Sequence, residues 1–163
     1  MAGEGAGLEF ALAELLRRKG AFVQHDWLEQ SLLVVELRSG FLVAATRGPD
    51  EAADPVYFDK LEQTRARISD YYGKPAQVLV VDGTQNLLPL QAGAAASAVQ
   101  TAAEARGVLC LQGAHMYGWL LMDEPDADGL LEQAHNDGAA LRQRLWRSAA
   151  RVFAPAAASF EGT

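Results

Sequence analysis

Asp82 and the polar residues after it form a cluster of side chains that could do chemistry. Asp82 ends the apolar run V-L-V-V, and Thr84, Gln85 and Asn86 follow it closely. Ligands of α/β sheets tend to bind outside the carboxyl ends of the strands, so this cluster could contact a small molecule or a partner protein. The same residue types also satisfy backbone groups in turns, and we favour that interpretation of the cluster.

The histidines His25, His115 and His135 lie far apart and lack the spacing of metal ligands. The sequence also has no G-x-S-x-G elbow, P-loop or G-x-G-x-x-G motif. We therefore expect surface histidines, no metal, no cofactor and no enzymatic activity. A pocket that brought Asp82, Asn86 and His115 together would instead indicate a ligand-binding or enzymatic domain.

Cys110, the single cysteine, lies inside the apolar run V-L-C-L with no cation beside it. A thiol in such a run acts as a small hydrophobic core residue. One cysteine excludes an intrachain disulfide and fits a reducing compartment.

A basic stripe, formed by Arg144, Arg147 and Arg151, is predicted on one face of the last helix. It could bind carboxylates or a phosphate of a partner as a secondary patch. Cations near a helix C-terminus are also stabilised by the helix dipole without any ligand, and this is the interpretation we favour.

Composition favours one folded domain. The chain has 163 residues, of which 50% are hydrophobic, and a formal charge of −7. That charge disfavours general binding to nucleic acid or to an anionic membrane. The acidic start, M-A-G-E-G-A-G, does not resemble a signal peptide, so we expect a cytoplasmic protein.

Hydrophobic patterning predicts alternating strands and helices. Helices are expected over 8–19, 55–72, 93–106 and 126–153, the last bent near Gly138, with strands over 21–30, 31–37, 41–46, 78–81 and 108–111. The apolar run 116–122 fits either a final strand or a turn. The fold class is thus α/β, with a mixed β-sheet and helices mainly on one face, in a single domain over 1–154 and a flexible tail over 155–163.

The central part of the chain resembles the STAS domain, the fold of bacterial anti-sigma-factor antagonists. In that family a strand ends in Asp, and Asp-Ser-(Ser/small)-Gly later opens a helix that is followed by Gly and another apolar strand. Here V-L-V-V-D ends at Asp82, Gly93 stands where the motif has its Gly, and Arg106 and Gly107 precede V-L-C-L. The resemblance covers roughly residues 31–122.

The resemblance implies a non-enzymatic, regulatory or scaffolding module that binds a protein partner. The surface it indicates comprises Asp82, Thr84, Gln85, Asn86, Leu87, Leu90, Gln91 and Gly93. Leu90 and Gln91 stand where the family has Asp and the phosphorylatable Ser, so the usual phosphate switch is expected to be absent.

Two alternatives stay open besides this leading hypothesis. An acidic secretion-chaperone or immunity-type protein, which could form a homodimer, would use the negative charge to mask a basic partner. A small-molecule-binding or enzymatic domain would instead require a concave pocket.

Overall fold

Five strands form one mixed sheet in the computed structural model, which describes residues 2–24, 32–47, 55–83 and 98–161. Side chains are described over 10–23, 32–46, 55–83 and 99–151. The elements in chain order are α1 (Ala2–Arg18), β1 (Phe22–Gln24), β2 (Leu32–Glu36), β3 (Phe41–Arg47), α2 (Pro55–Tyr72), β4 (Ala76–Asp82), α3 (Ala98–Ala105), β5 (Leu109–Gln112), α4 (Gly113–Leu121) and α5 (Ala127–Glu161).

The strands lie side by side in the order in which they occur along the chain. β1, β2 and β3 are antiparallel neighbours, whereas β3, β4 and β5 run parallel. Parallel neighbours need a crossover connection, and the described part of each crossover contains a helix, α2 before β4 and α3 before β5. The predicted α/β fold with a mixed sheet is confirmed.

The helices are divided between the two faces of the sheet, which corrects the expectation that they lie mainly on one face. Alternate strand residues such as Leu33 and Val35 share one core cluster with α1, α4 and α5. The intervening residues, such as Leu32 and Val34, share a second cluster with α2 and α3. Strands that are apolar on both faces need cover on both faces, so the N-terminal and C-terminal helices supply the second layer.

The β2–β3 turn depends on a close backbone approach at Gly40. Its φ is +151°, and a Cβ at this position would lie 2.2 Å from the carbonyl oxygen of Pro75. The neighbouring Phe41 N–H donates to the same oxygen at 2.8 Å. Gly40 therefore lets the hairpin end lie directly against the start of β4.

Residues 116–122 are neither a strand nor a simple turn, because α4 covers 113–121. The backbone N–H of Gln112 donates to Nδ1 of His115 at 3.0 Å, as in a capping box at the helix start. The helix is buried on several sides, so its apolar run lacks the one-sided 3.6-residue pattern that identifies surface helices.

Helix α5 bends at Asp137, one residue before the predicted position. Asp137 has φ −160° and ψ 88°, and its Oδ1 accepts the backbone N–H of Ala140 at 3.1 Å. Asp137 therefore ends one helical segment and caps the next. The second segment continues to Glu161, over part of the stretch predicted as a tail.

The end of α1 is fixed to the connection between α4 and α5. Lys19 is buried; its Nζ donates to the carbonyl oxygen of Met122 and lies 5.7 Å from the ring centre of Trp119. Burial lowers the pKa of Lys19, and the nearby charge of Asp123 opposes that shift. Trp119 Nε1 donates to the carbonyl oxygen of Pro125 at 2.7 Å, so three elements meet at one buried indole.

Candidate functional site

Asp82 is the one member of the predicted partner surface that lies within the described residues. It ends β4 opposite Gln112 of β5 and is fully buried, with 0% exposure. It therefore cannot itself present a contact to a partner. Its predicted companions lie outside the described residues: Thr84, Gln85, Asn86, Leu87, Leu90, Gln91 and Gly93.

His115 lies at the same end of the sheet as Asp82 but is 7% exposed, contrary to the expectation of a surface histidine. Its Nδ1 accepts the Gln112 N–H, so the neutral ring carries its proton on Nε2. Burial, together with the charge of Arg142, lowers the pKa of His115 from 6.5 to about 4. The ring is thus neutral at physiological pH and acts as a buried helix cap.

Cys110 is a core residue, as its sequence context predicts. It is 1% exposed, and burial, assisted by the negative charge of Asp82, raises its pKa to about 12. The thiolate, which is the nucleophilic form, is therefore disfavoured at neutral pH.

Polar side chains cross the outer edge of β5 and link the two helical layers. Arg142 of α5 forms an ion pair with Glu104 of α3 at 2.8 Å. Gln100 Nε2 donates to Glu104 at 3.2 Å, and Gln112 Nε2 donates to Gln100 at 3.3 Å. These contacts lie beside an edge strand whose Cys110 is almost inaccessible, so this edge offers little backbone to an added strand.

A groove of about 460 Å³ opens at the other end of the parallel strands, where β4 and β5 begin. We call it the arginine groove because Arg65, Arg106 and Arg142 line it from three parts of the chain. Its apolar surface comes from both strands and from α5. The residues of that apolar surface are Ala76, Val78, Val108, Leu109, Leu131 and Ala134.

Each arginine of the groove is paired with a carboxylate, but to a different extent. Arg65 contacts Glu62 through two nitrogens, at 2.9 and 2.5 Å, and also donates to the carbonyl oxygen of Ala76. Arg106 contacts Asp59 through Nη1 at 2.5 Å. Its guanidinium carbon also lies 5.8 Å from the ring centre of Phe58, within the range of a cation–π contact.

A second concavity, of about 290 Å³, lies between α1 and α4. We call it the α1/α4 hollow, and it is almost entirely apolar: Ala11, Leu15, Gly113, Met116, Tyr117 and Leu120 line it, with Glu14 and Arg18 on its α1 side. Large apolar side chains on the same two helices face water, since Phe10 is 68% exposed, Leu120 41% and Leu121 44%.

The predicted basic stripe on α5 is exposed over its described length. Arg144, Arg147 and Arg151 face solvent, and Arg144 donates to Oε1 of Gln133 at 2.5 Å across the bend. No group of three potential metal ligands occurs among the described residues. None of the described helices combines the length and hydrophobicity needed to cross a bilayer.

Comparison with known proteins identifies no relative of this chain. No family model, no curated protein and no solved structure matches this chain.

Proposed function

We propose that the protein is a non-enzymatic protein-interaction module of regulatory or scaffolding type, with a STAS-like organisation. The element order supports this proposal: among the described elements, β4, which ends in Asp82, is followed by α3, Gly107 and the apolar strand β5, which is the order that the resemblance implies. Both crossover helices, α2 and α3, contribute to the same core cluster.

The observation that carries the proposal is the water-exposed apolar surface around the α1/α4 hollow. Burying a large aliphatic or aromatic side chain contributes about 1.5–3 kcal/mol, and contiguous exposed apolar surface marks interaction sites. Leu120 lines the hollow, whose other lining is also mostly apolar, and Phe10 and Leu121 are exposed on the same two helices. This surface is formed by other residues than the edge over 84–93 that the sequence indicates, which lies outside the described residues.

The occupant that fits the hollow is an amphipathic helix of a partner protein. The hollow lies between two helices, and its small residues Ala11 and Gly113 would let a third helix approach closely. Glu14 and Arg18, one turn apart on α1, offer one charge of each sign to the polar flank of that helix. A partner helix would then pack its apolar stripe into the hollow.

Site-specific photo-crosslinking tests this proposal. A crosslinker at position 121 should capture one partner in the native host, and a crosslinker at the more exposed position 71 should not. The purified partner should bind Leu120→Glu at least tenfold more weakly than wild type, because a charge would be buried in an apolar contact. Tyr71→Glu is the matched control and should bind normally.

Other outcomes would show which part of the proposal is wrong. Loss of binding in Leu87→Glu but not in Leu120→Glu would move the surface to the predicted edge. A concentration-dependent dimer that Leu120→Glu dissociates would identify a second copy as the occupant. Partner binding that neither substitution weakens would overturn both proposed surfaces.

A further inference from the structure

The arginine groove has the composition of a site for an organic anion. Arg65, Arg106 and Arg142 converge from α2, the end of α3 and α5, so the site exists only in the folded chain. Glu62 and Glu104 also line it, and each of the three guanidinium groups has one carboxylate partner, Asp59 being that of Arg106.

Two of these guanidinium groups retain unused donors. An arginine has five N–H donors in a fixed fork, which matches the geometry of carboxylate and phosphate. Among the described contacts, Arg106 uses Nη1 on Asp59, and Arg142 uses Nη2 on Glu104. The side chain of Arg106 is 37% exposed and that of Arg142 19%, so a ligand can reach both from the groove.

The remaining surface of the groove is apolar and large enough for more than an inorganic ion. Val78, Leu109 and Leu131 provide apolar contacts beside the arginines. Its volume of about 460 Å³ falls within the roughly 300–1,000 Å³ typical of small-molecule sites.

We propose that the arginine groove binds a small organic anion, with a carboxylate or phosphate head group on Arg106 and Arg142 and an apolar body against β4, β5 and α5. The site lies at the opposite end of the parallel strands from the partner edge predicted by the sequence. It is also separate from the α1/α4 hollow, so the proposal is independent of the proposed function.

Titration with defined probes tests the proposal. Hexanoate and phenyl phosphate represent the two head groups, and hexanol is the neutral analogue with the same number of carbon atoms as hexanoate. At constant ionic strength, at least one anion should produce saturable amide shifts at Gly107 and His135 in two-dimensional nuclear magnetic resonance spectra. Hexanol should not saturate at concentrations up to about 10 mM, since apolar contact alone is too weak.

Variants assign the head-group contact. Arg106→Gln should weaken binding of the anion at least tenfold, whereas Arg106→Lys, which keeps the charge, should weaken it less. Arg147→Gln removes an equally charged residue outside the groove and should leave binding unchanged. Arg142→Gln also removes the contact with Glu104. The spectrum of this variant must therefore show a native fold before its affinity for the anion is compared with that of wild type.

Three results would overturn the proposal. They are the absence of saturable shifts with either anion, equal saturation with hexanol, and unchanged affinity in Arg106→Gln. If only phenyl phosphate binds, the head group is a phosphate; if only hexanoate binds, it is a carboxylate.

Discussion

The burial of His115 makes the stability of the fold depend on pH. His115 keeps Nδ1 as an acceptor for the Gln112 N–H, which an imidazolium ring cannot do. Burial of the ring, together with the charge of Arg142, lowers its pKa to about 4, so the form that the hydrogen bond requires is also the form that the fold favours.

We predict that His115 weakens the fold as the solution is acidified. Above pH 6.5 the ring is neutral in both states, so its contribution is complete. Between pH 6.5 and about 4 the unfolded chain binds the proton first, and up to roughly 3 kcal/mol of stability is lost. Urea unfolding at several pH values should show this loss in wild type but not in His115→Asn, which retains an acceptor.

The carboxylates titrate in both proteins, so the difference between the two curves isolates His115. Parallel curves for the two proteins between pH 7 and 4 would contradict the predicted pKa. The size of a constant offset between such parallel curves reports only how well Asn packs in place of His.

At the scale of single elements, the packing of α4 on α5 depends on one glycine. A Cβ on Gly118 would lie 1.8 Å from the carbonyl oxygen of Leu145 and 3.2 Å from the backbone nitrogen of Ala149. Ser148 Oγ also donates to the carbonyl oxygen of Gly118 at 2.9 Å. The two helix backbones are thus in direct contact.

We predict that Gly118→Ala lowers the free energy of unfolding by about 2 kcal/mol or more, because the added methyl group must push two rigid backbones apart. Equilibrium denaturation in urea measures the loss. Gly138→Ala is the matched control, since its Cβ would meet only Nη1 of Arg142 at 3.5 Å. Equal stability of the two variants would show that the helices separate at little cost.

The sequence predicts elements well where local signals delimit them. The helix predicted over 55–72 has the observed bounds, because Pro55 opens it and Gly73, with φ +65°, and then Pro75 prevent its continuation. The same reasoning fails for α4, whose run from Met116 to Met122 is apolar on several sides and has no stop residue. The burial of α4 comes from tertiary packing against residues distant in sequence, and a local sequence pattern does not reveal such contacts.

Sites made by distant residues were the hardest to predict. Arg65, Arg106 and Arg142 belong to three elements separated by about 40 positions each, and no spacing rule connects them. Asp82, by contrast, was placed correctly at the end of its strand, yet its burial depends on neighbouring layers. The position of a polar residue could be predicted, but its exposure could not.

At the scale of the whole molecule, the N-terminal helix is part of the core and not an appendage. Leu12 is fully buried in the cluster that it shares with Trp119 and Leu145, whereas Phe10, two residues earlier, is 68% exposed. The three-layer arrangement thus depends on α1 as much as on α5.

We predict that Leu12→Ala destabilises the protein by about 2–5 kcal/mol, because it leaves a cavity in the core. Phe10→Ala removes a larger side chain from the surface of the same helix and should change stability by less than about 0.5 kcal/mol. Thermal and urea unfolding compare the two. Similar losses for both would mean that α1 is not packed as described.

The agreement between strand order and chain order bears on synthesis at the ribosome. Each strand pairs with the strand made just before it, so a nascent chain can extend its sheet as it emerges. Helix α1 is the exception, because Leu12 and Leu16 share their cluster with Trp119 and Leu145. Helix α1 can pack early on the strands that contribute Leu33 and Leu42 to the same cluster, but its burial is completed only when α4 and α5 have been made.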